Sequence, residues 1–361
     1  VSVIEDLSKD DSDSFEFIIP NYNFSKETNL TTGNFFDSLK INSKGNYKKF
    51  NTNVDEADIV NDLILNSNNQ SNLNNLSTDL SFLIRNINTY GNLSKSYKEN
   101  TDYKILSNVM YNLEYPLIKE TDSSRSFLTP VGSFRYSPNQ GLNLKDENKL
   151  ITYQDLFILD RINERTVESG ASATLGFDYK IQNDSNQDKF NLGVGINSRI
   201  EEDNKLPLSS SLGQKTSDII GYSGLNITEN LSIKYNFSLD QSLSETNYSL
   251  ISTDFSSSKF KTSFEYMEKS NLIGDESYLN NFTQYEINKS NSLSFETNKN
   301  IDKNLTNYYN LIYEYQNDCL QASVVYNKQF YKEDTINPGQ NIYFKISFIP
   351  FGTISSPSFN D

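Results

Sequence analysis

The sequence has no histidine, no tryptophan and a single cysteine, Cys319. Without histidine, the chain lacks the usual general base and the commonest metal ligand. One cysteine can form neither an internal disulfide nor a thiolate metal cluster. Glycine is sparse, at 15 of 361 residues, and neither a dinucleotide-binding nor a P-loop signature is present. We therefore expect a protein that is not an enzyme and that has no cofactor, no metal site and no catalytic residue.

Positive charge and long apolar runs are also scarce. Lysine and arginine number 32 against 47 acidic residues, which gives a net charge of −15. Such a balance disfavours nucleic acid as a partner, because nucleic acid needs a basic surface. No apolar run approaches the roughly 18 residues of a membrane-spanning helix. The sequence opens on Val1 with no signal-peptide pattern, so we expect it to be a piece of a longer protein.

What the sequence does contain is repeated alternation of apolar and polar residues. Aromatic residues make up 13% of the chain, as 23 tyrosines and 23 phenylalanines. The apolar residues of Leu231–Leu239 alternate with serine, lysine and asparagine, and the same period recurs in Leu175–Ile181, Phe260–Tyr266 and Ile342–Phe348. A period of two with one apolar and one polar face predicts half-buried β-strands.

A soluble sandwich and a transmembrane barrel both bury one face of many strands. Three features favour the barrel: strands of about 9–12 residues, charges in mid-strand on the polar face, and connections that alternate in length. Residues 228–230, 256–258 and 316–318 form short connections, whereas 200–216, 269–276, 332–340 and above all 139–165 form long ones. Outer-membrane barrels have short periplasmic turns and long outer loops.

The fold class that we predict is all-β, an antiparallel transmembrane β-barrel of which this chain is a fragment. We count roughly seventeen strands, within a range of about 16 to 18, and closed bacterial barrels have an even number. Either the count is wrong or further strands precede Val1, and the abrupt start of the sequence favours the second. Residues 1–361 are predicted to form one partial barrel domain.

Five local motifs follow one another along the chain: VIEDLSKDDSDSFEFIIPNYNFSK, NLEYPLIKETDSSRSFLTPVGSFRYSPNQ, DLFILDRINERTVESGASATLGFDYK, GQKTSDIIGYSGLNI, and the pair YEYQNDCLQASVVYNKQF and NIYFKISFIPFG. Their order resembles the C-terminal barrel of the LptD (OstA/Imp) family of lipopolysaccharide-assembly proteins. The resemblance covers nearly the whole chain in the family's order. Where the family often has two adjacent cysteines near the C-terminus, Leu320 follows Cys319 here.

The resemblance implies an integral protein of the Gram-negative outer membrane that inserts lipopolysaccharide (LPS) into the outer leaflet. It implies a plug lipoprotein of the LptE type as one partner. It also implies a periplasmic bridge of the LptA type, which would reach the barrel through an N-terminal jellyroll domain that lies outside this chain. Two other classes stay open on the residues alone: a porin-like diffusion channel and a soluble adhesin-like β-protein.

The resemblance also implies two candidate sites. The last predicted strand would be a lateral seam through which lipid leaves, or else an ordinary closing strand; it consists of Asn341, Ile342, Tyr343, Phe344, Lys345, Ile346, Ser347, Phe348 and Ile349. Pro350 is expected to end its pairing. Cys319 is a candidate for an interdomain disulfide with a cysteine outside this chain, or else a small residue that packs quietly.

Two sets of charged residues are further candidate sites. Charges on the predicted lumen face could guide a phosphorylated glycolipid or simply be solvated; they are Asp178, Lys180, Lys234, Glu265 and Lys345. The block Asp155–Glu168 mixes acidic residues with arginines, and this mixture favours an ion-paired outer loop over a calcium site.

Overall fold

The computed structural model describes residues 2–5, 15–30, 35–50, 53–70, 75–94, 97–138, 141–270, 275–330, 338–348, 352–355 and 359–360. Antiparallel strands dominate these residues. The strands are β1 (Ser2–Glu5), β2 (Phe15–Asn29), β3 (Ser38–Phe50), β4 (Asp55–Gln70), β5 (Ser77–Asn92), β6 (Asp102–Glu114), β7 (Leu117–Thr121), β8 (Ser124–Ser137), β9 (Gly170–Asn183), β10 (Asp188–Arg199), β11 (Ile219–Thr228), β12 (Leu231–Leu239), β13 (Thr246–Ser256), β14 (Phe260–Lys269), β15 (Glu276–Asn288), β16 (Asn291–Asn300), β17 (Leu305–Gln316), β18 (Leu320–Gln329), β19 (Gly339–Phe348), β20 (Gly352–Ser355) and β21 (Phe359–Asn360).

Helical structure in the described ranges consists of two short 3-10 helices, Gln154–Phe157 and Leu208–Ser210. Neither they nor any other helix in these ranges is long and apolar enough to cross a membrane. Four of the strands are very short, namely β1, β7, β20 and β21. The remaining strands among the described residues number seventeen, which agrees with the count predicted from the alternation.

The chain divides into two compact units. Unit 1 comprises Val1–Asp184, Gly193–Gly221 and Asp240–Ser244, and unit 2 comprises Ser185–Leu192, Tyr222–Leu239 and Glu245–Asp361. The prediction that residues 1–361 form one partial barrel domain stays a prediction.

Within unit 1, each strand from β1 to β5 pairs with the next strand along the chain, and β8 pairs with β6, β7 and β9. The run β4–β5–β6 has continuous register, from Asp55↔Asn92 to Gln70↔Ser77 and from Ser77↔Glu114 to Thr89↔Asp102. Pro116 separates β6 from β7, as expected because proline has no N–H for the ladder.

Within unit 2, β12 to β19 form an unbroken antiparallel series in sequence order. The register places apolar residues opposite apolar ones: Leu311 faces Tyr326, and Val324 faces Phe344. Polar residues meet on the other face, where Asn310 pairs with both Glu296 and Asn327. The predicted alternation thus produces a sheet with one apolar and one polar face.

The exposure of apolar and polar side chains on the two faces is the reverse of that in a soluble protein. Apolar side chains are exposed, including Leu175 at 67%, Ile105 at 63% and Phe264 at 49%. Polar and charged side chains on the other face are buried, including Arg85, Arg135 and Asn108. A soluble protein buries its apolar residues and exposes its charges, so the exposed apolar face needs a non-aqueous neighbour such as lipid.

Connection lengths follow the predicted parity most clearly from β8 to β12, where 138–169 and 200–218 are long and 184–187 and 229–230 are short. Farther along the chain the difference narrows, because the connection 301–304 has the same number of residues as 184–187. The pattern reverses near the N-terminus, where 30–37 is longer than 51–54. The predicted loop 332–340 lies largely outside the described residues.

Candidate functional site

A long loop between β8 and β9 lies on the polar face of unit 1. We call residues 141–169 the inserted loop. Seven of its apolar or threonine side chains are buried: Leu144, Ile151, Tyr153, Leu156, Ile162, Thr166 and Val167. A connecting loop is normally exposed, because its backbone polar groups need water. This loop must therefore obtain its hydrogen bonds from the sheet.

Side chains of the sheet bind the extended backbone of the inserted loop. Asn112 donates its side-chain amide to the carbonyl of Phe157 at 3.2 Å, and Asn108 does the same to Leu159 at 3.1 Å. Arg135 donates to the carbonyl between them, that of Ile158. Three successive carbonyls are thus satisfied by strand side chains, which removes most of the cost of burying them.

Arg85 on β5 joins the sheet to two parts of the inserted loop. It forms a two-point ion pair with Asp62 on β4, at 2.7 and 2.8 Å, and a 2.7 Å bond to Asp160 in the loop. The same guanidinium donates to the carbonyls of Asn163 at 3.0 Å and Thr166 at 2.8 Å. Only arginine offers a fork of donors wide enough for this set of acceptors.

Glu168 is the centre of a second buried network. Arg161 binds its two oxygens at 2.6 and 2.7 Å, and Arg199 donates to Oε1 at 2.6 Å. Arg135 lies 3.7 Å from Oε2. Burial alone would raise the pKa of Glu168, but the charges of Arg161, Arg135 and Arg199 outweigh it and lower the pKa to about 2.

The Glu168 network carries more positive than negative charge. Three guanidinium groups surround one carboxylate, and the next acid, Asp203, is 3.9 Å from Arg199. The Nε atom of Arg135 is buried and has no hydrogen-bond partner. A buried charge is retained only where it is paired and hydrogen-bonded, so the structure tolerates this network because Glu168 holds the arginines together.

Apolar contacts and two glycines also let the inserted loop pack closely against the sheet. Val167 joins a buried cluster formed by Val60, Leu83, Ile87 and Leu106 on the same polar face. Gly195 leaves room for the loop, because a Cβ there would lie 2.7 Å from Leu156. Gly176 leaves room in the same way, because a Cβ there would lie 2.8 Å from the Phe157 ring.

A second loop, residues 200–218, packs on the inserted loop within unit 1. Leu144 donates its amide to the carbonyl of Lys205 at 2.7 Å, and Leu208 donates to Lys145 at 3.2 Å. Leu206 and Leu212 are buried. The two loops together cover the polar side chains beneath them.

The ion pairing predicted for Asp155–Glu168 is confirmed by these contacts, and the outer location of this loop stays a prediction. The partners Arg85, Arg135 and Arg199 were not predicted, because they lie on strands far along the chain. One available signal was the rarity of arginine: the chain has six arginines in all, and four of them are buried.

The predicted lumen charges have different contacts within each unit. Asp178 accepts a 2.6 Å hydrogen bond from Tyr153 of the inserted loop, and Lys180 lies 5.5 Å from the ring of Phe127. In unit 2, Lys234 pairs with Asp254 at 3.3 Å, and Glu265 accepts from Asn280 at 3.0 Å. Lys345 on β19 is exposed.

The predicted seam strand corresponds to β19, in which Asn341–Phe348 are described and Ile349 and Pro350 are not. One edge of β19 pairs with β18 from Gly339 to Phe348. Its other edge pairs with β20 at four positions and with β21 at two. The expectation that β19 is the last strand is wrong, because β20 and β21 follow it in the chain and pair with it on the edge opposite β18.

Cys319 is exposed and free in the turn between β17 and β18. Its backbone amide donates to the side chain of Asn317 at 3.0 Å. The interdomain disulfide stays a prediction, since its proposed partner lies outside this chain.

Long antiparallel strands with an exposed apolar face and a polar face define the class: the chain is an outer-membrane protein of the transmembrane β-barrel type. The model of the LptD family, described as LPS transport system D, matches residues 17–298. The chain belongs to this family of LPS transport proteins.

Solved structures of outer-membrane proteins resemble the chain weakly. A porin variant from Rhodopseudomonas blastica is 8% identical with a TM-score of 0.33, over 87% of this chain and 95% of the porin. The open form of the ferric-catecholate import receptor Fiu from E. coli K12 is 10% identical with a TM-score of 0.45, over 96% of this chain and 68% of the receptor. No curated protein matches the sequence.

Proposed function

We propose that the chain is part of an outer-membrane translocon that inserts LPS into the outer leaflet of the Gram-negative outer membrane. The observation that carries the proposal is the family match over residues 17–298. The exposed apolar face suits an integral membrane position, and the polar face suits the hydrophilic part of a glycolipid. The protein transports its substrate and catalyses no reaction on it.

Depletion of the full-length protein in its own bacterium tests the proposal. We expect newly made LPS to disappear from the cell surface, as measured with an antibody on intact cells, while it accumulates inside. Restoring the protein should restore surface LPS. Normal surface LPS after depletion, together with slower uptake of small solutes, would favour the porin-like channel instead.

The proposal includes two protein partners: a plug lipoprotein of the LptE type, and a periplasmic bridge of the LptA type that reaches the barrel through an N-terminal domain. Co-purification of the full-length protein from cross-linked cells tests both. Absence of any small lipoprotein from a preparation that still exports LPS would contradict the first partner.

The proposal also includes lateral exit of lipid at the edge of β19. Support comes from the match to the LptD family and from the pairing of β19, which in the described part of the chain meets the short strands β20 and β21 on the edge opposite β18. A strand edge is a row of separable hydrogen bonds.

A cross-link across that edge tests lateral exit. Ile346 and Ile354 are paired in register, so cysteines at both positions, with Cys319→Ser, should form a disulfide in the full-length protein. We expect the oxidised form to block LPS export and the reduced form to restore it. The control pair Val324 and Phe344, on the β18 side of the strand, should have no effect. Export at the normal rate through the oxidised Ile346–Ile354 variant would refute exit at this edge.

A further inference from the structure

A group of four polar side chains lies within the exposed apolar face of unit 1. It consists of Ser43 on β3, Asn61 on β4, and Asn86 and Asn88 on β5. Residues two apart on a strand point the same way, so Asn61 shares the face of Ile59, which is 39% exposed. The register aligns the group, because Ser43 pairs with Asn61 and Asn61 pairs with Asn86. We call these four residues the polar patch.

Apolar side chains surround the polar patch on all sides. Across the strands, the register continues to Phe24 on β2 and to Ile105 on β6, and both side chains are exposed. Along the strands, a paired row of apolar residues bounds the patch in each direction; the rows are Ile41, Leu63 and Ile84, and Tyr47, Ala57 and Tyr90. The polar patch therefore lies inside the face that meets lipid and not at its rim, where membrane barrels carry their aromatic girdles.

Hydrogen bonds join the polar patch across three strands. Ser43 donates to Asn61 Oδ1 at 2.7 Å, and Asn61 donates to Asn86 Oδ1 at 3.3 Å. Asn88 donates to the same oxygen of Asn86 at 2.6 Å, and the hydroxyl of Tyr22 lies 3.3 Å from that of Ser43. These bonds reduce the cost of placing amides beside lipid, because a polar group without a partner is expensive there.

The polar patch keeps hydrogen-bonding capacity that these contacts do not use. An asparagine amide has two N–H donors. Among the described contacts, the amides of Asn61, Asn86 and Asn88 each donate one hydrogen bond, and the one from Asn86 to the carbonyl of Lys104 is long, at 3.5 Å. The second donor of each amide is therefore available to an acceptor outside the sheet.

An asparagine on the apolar face of unit 2 shows the contrasting case. Asn281 pairs in register with the exposed Phe264. Its amide donates to Thr262 at 3.4 Å and to the carbonyl of Ser263 at 3.0 Å, and its oxygen accepts from Thr283 at 3.3 Å. This amide finds its acceptors within its own sheet, which the polar patch does not.

Two classes of neighbour could supply acceptors to the polar patch: membrane lipid and a second protein chain. Apolar surface gains little by leaving lipid for another protein, since both neighbours are apolar. A protein partner would therefore be held mainly by the patch itself, which measures only about 10 by 7 Å from the strand spacing and the rise per residue. A stable interface buries about 800 Å² per partner, so lipid is the better fit.

We infer that the polar patch binds the ester carbonyl oxygens of the phospholipid around the protein, together with the water that accompanies them. The patch carries no charge, and its neutral N–H donors suit neutral carbonyl acceptors. Because these carbonyls normally lie at the membrane surface, lipid beside β3–β5 sits deeper than lipid beside Phe134 and Leu175, where the same face of unit 1 is apolar. The inference depends on the membrane position of the apolar face and not on the transport of LPS.

Quenching of fluorescence by brominated lipid tests this inference in the full-length protein. A fluorescent amino acid replaces Leu63, which borders the polar patch on β4, or Leu175 as the control position on β9. The protein is folded into vesicles of phosphatidylcholine alone, with bromine on the acyl chains either close to the ester or close to the membrane centre. The ratio of shallow to deep quenching reports which part of the lipid lies beside the label.

Each label is measured with the polar patch intact and with the patch removed by Ser43→Ala, Asn61→Leu, Asn86→Leu and Asn88→Leu. Asn61→Leu alone is a milder second variant, because it removes the amide that joins β3 to β5. Heat-dependent gel migration identifies the proteins that have folded. Comparison at one labelled position keeps the place of the label in the sheet constant.

With the patch intact, we expect the label at position 63 to be quenched more by the shallow bromines, and with the patch removed more by the deep ones. The label at position 175 should give the same ratio in both backgrounds. An unchanged ratio at position 63 would overturn the inference. So would a change that needs LPS in the vesicles, which would make the exported glycolipid the occupant, or one that vanishes at a single protein copy per vesicle, which would make a second copy the occupant.

Discussion

Arg161 and Glu168, seven residues apart in the inserted loop, form a buried two-point ion pair with Nε–Oε2 at 2.6 Å and Nη2–Oε1 at 2.7 Å. The pair joins two positions near the C-terminal end of the inserted loop. Arg199 then ties Glu168 to the end of β10 at 2.6 Å. One carboxylate thus determines the position of the loop and of its neighbour.

Removal of the charge of Glu168 should destabilise unit 1. In Glu168→Gln, three buried guanidinium groups lose their counter-charge, and we expect a loss of about 3–5 kcal/mol in the free energy of unfolding. Urea titration in lipid vesicles, followed by gel migration, measures it. Glu164→Gln is the matched control, because that side chain is 55% exposed and pairs with Lys44. Equal midpoints for the two variants would contradict the role of Glu168.

The same carboxylate predicts a pH dependence. The folded pKa of Glu168, about 2, lies below its ordinary value of 4.5. The stabilising charge is therefore fully present above about pH 4.5 and is lost as the pH falls towards 2. Trypsin does not work at such a low pH, so cleavage of the inserted loop by pepsin is the measurement. The rate is divided by the rate for a standard peptide at the same pH. We expect this ratio to rise as the pH falls from 4.5 towards 2 in the wild type and to stay constant in Glu168→Gln.

A larger side chain at Gly195 should displace the inserted loop from the sheet. A Cβ there would lie 2.7 Å from Leu156 Cδ1 and 3.4 Å from the Tyr153 ring, so Gly195→Val cannot coexist with the seated loop. We expect rapid trypsin cleavage after Arg161, which is buried in the wild type. Gly132→Ala is the control, since its Cβ would meet Leu175 at an ordinary 3.8 Å. A protected Arg161 in Gly195→Val would show that the loop is held elsewhere.

Adjacent positions on β12 test which face meets lipid. Tyr235 lies on the apolar face and stacks on Phe237 at 5.3 Å, while Asn236 points to the polar face. Tyr235→Arg should cost about 2–4 kcal/mol if it lies near the membrane midplane, and Asn236→Arg much less. The free energy of unfolding of both variants in lipid vesicles measures the difference. Similar stabilities would contradict a membrane-embedded apolar face.

Cys319 should be oxidised in the full-length protein if the predicted disulfide exists. The turn that contains it would be periplasmic by the parity of the connections, and the periplasm favours disulfides. Maleimide labelling of protein from an oxidising envelope, with and without reductant, measures the free thiol. We expect labelling only after reduction; equal labelling in both samples means a free cysteine.

Much of the sheet could be predicted from the sequence because alternation is a local property. Leu231–Leu239 and Ile342–Phe348 predict strands and faces by themselves, and the register confirms both. The segments after β19 were missed, since Phe359 and Asn360 form too short a strand to show a period.

The candidate site was only partly predictable, for a physical reason. The mixed charges of Asp155–Glu168 indicate ion pairing, but the sequence cannot show that the partners are Arg85, Arg135 and Arg199. Pairing across 31 residues, as between Glu168 and Arg199, depends on the register of strands rather than on spacing along the chain. The role of the predicted lumen charges stays a prediction, since charge on a strand does not show whether a loop will cover it.

The short pairing of β20 and β21 along β19 has a consequence for purified protein. Among the described residues, Asn341, Ile342 and Lys345–Phe348 have partners on that edge. A strand edge that has lost its partner recruits extended chains from other molecules. Strands β20 and β21 therefore cover this edge against self-association, and protein that has lost them to a protease during isolation should oligomerise through β19.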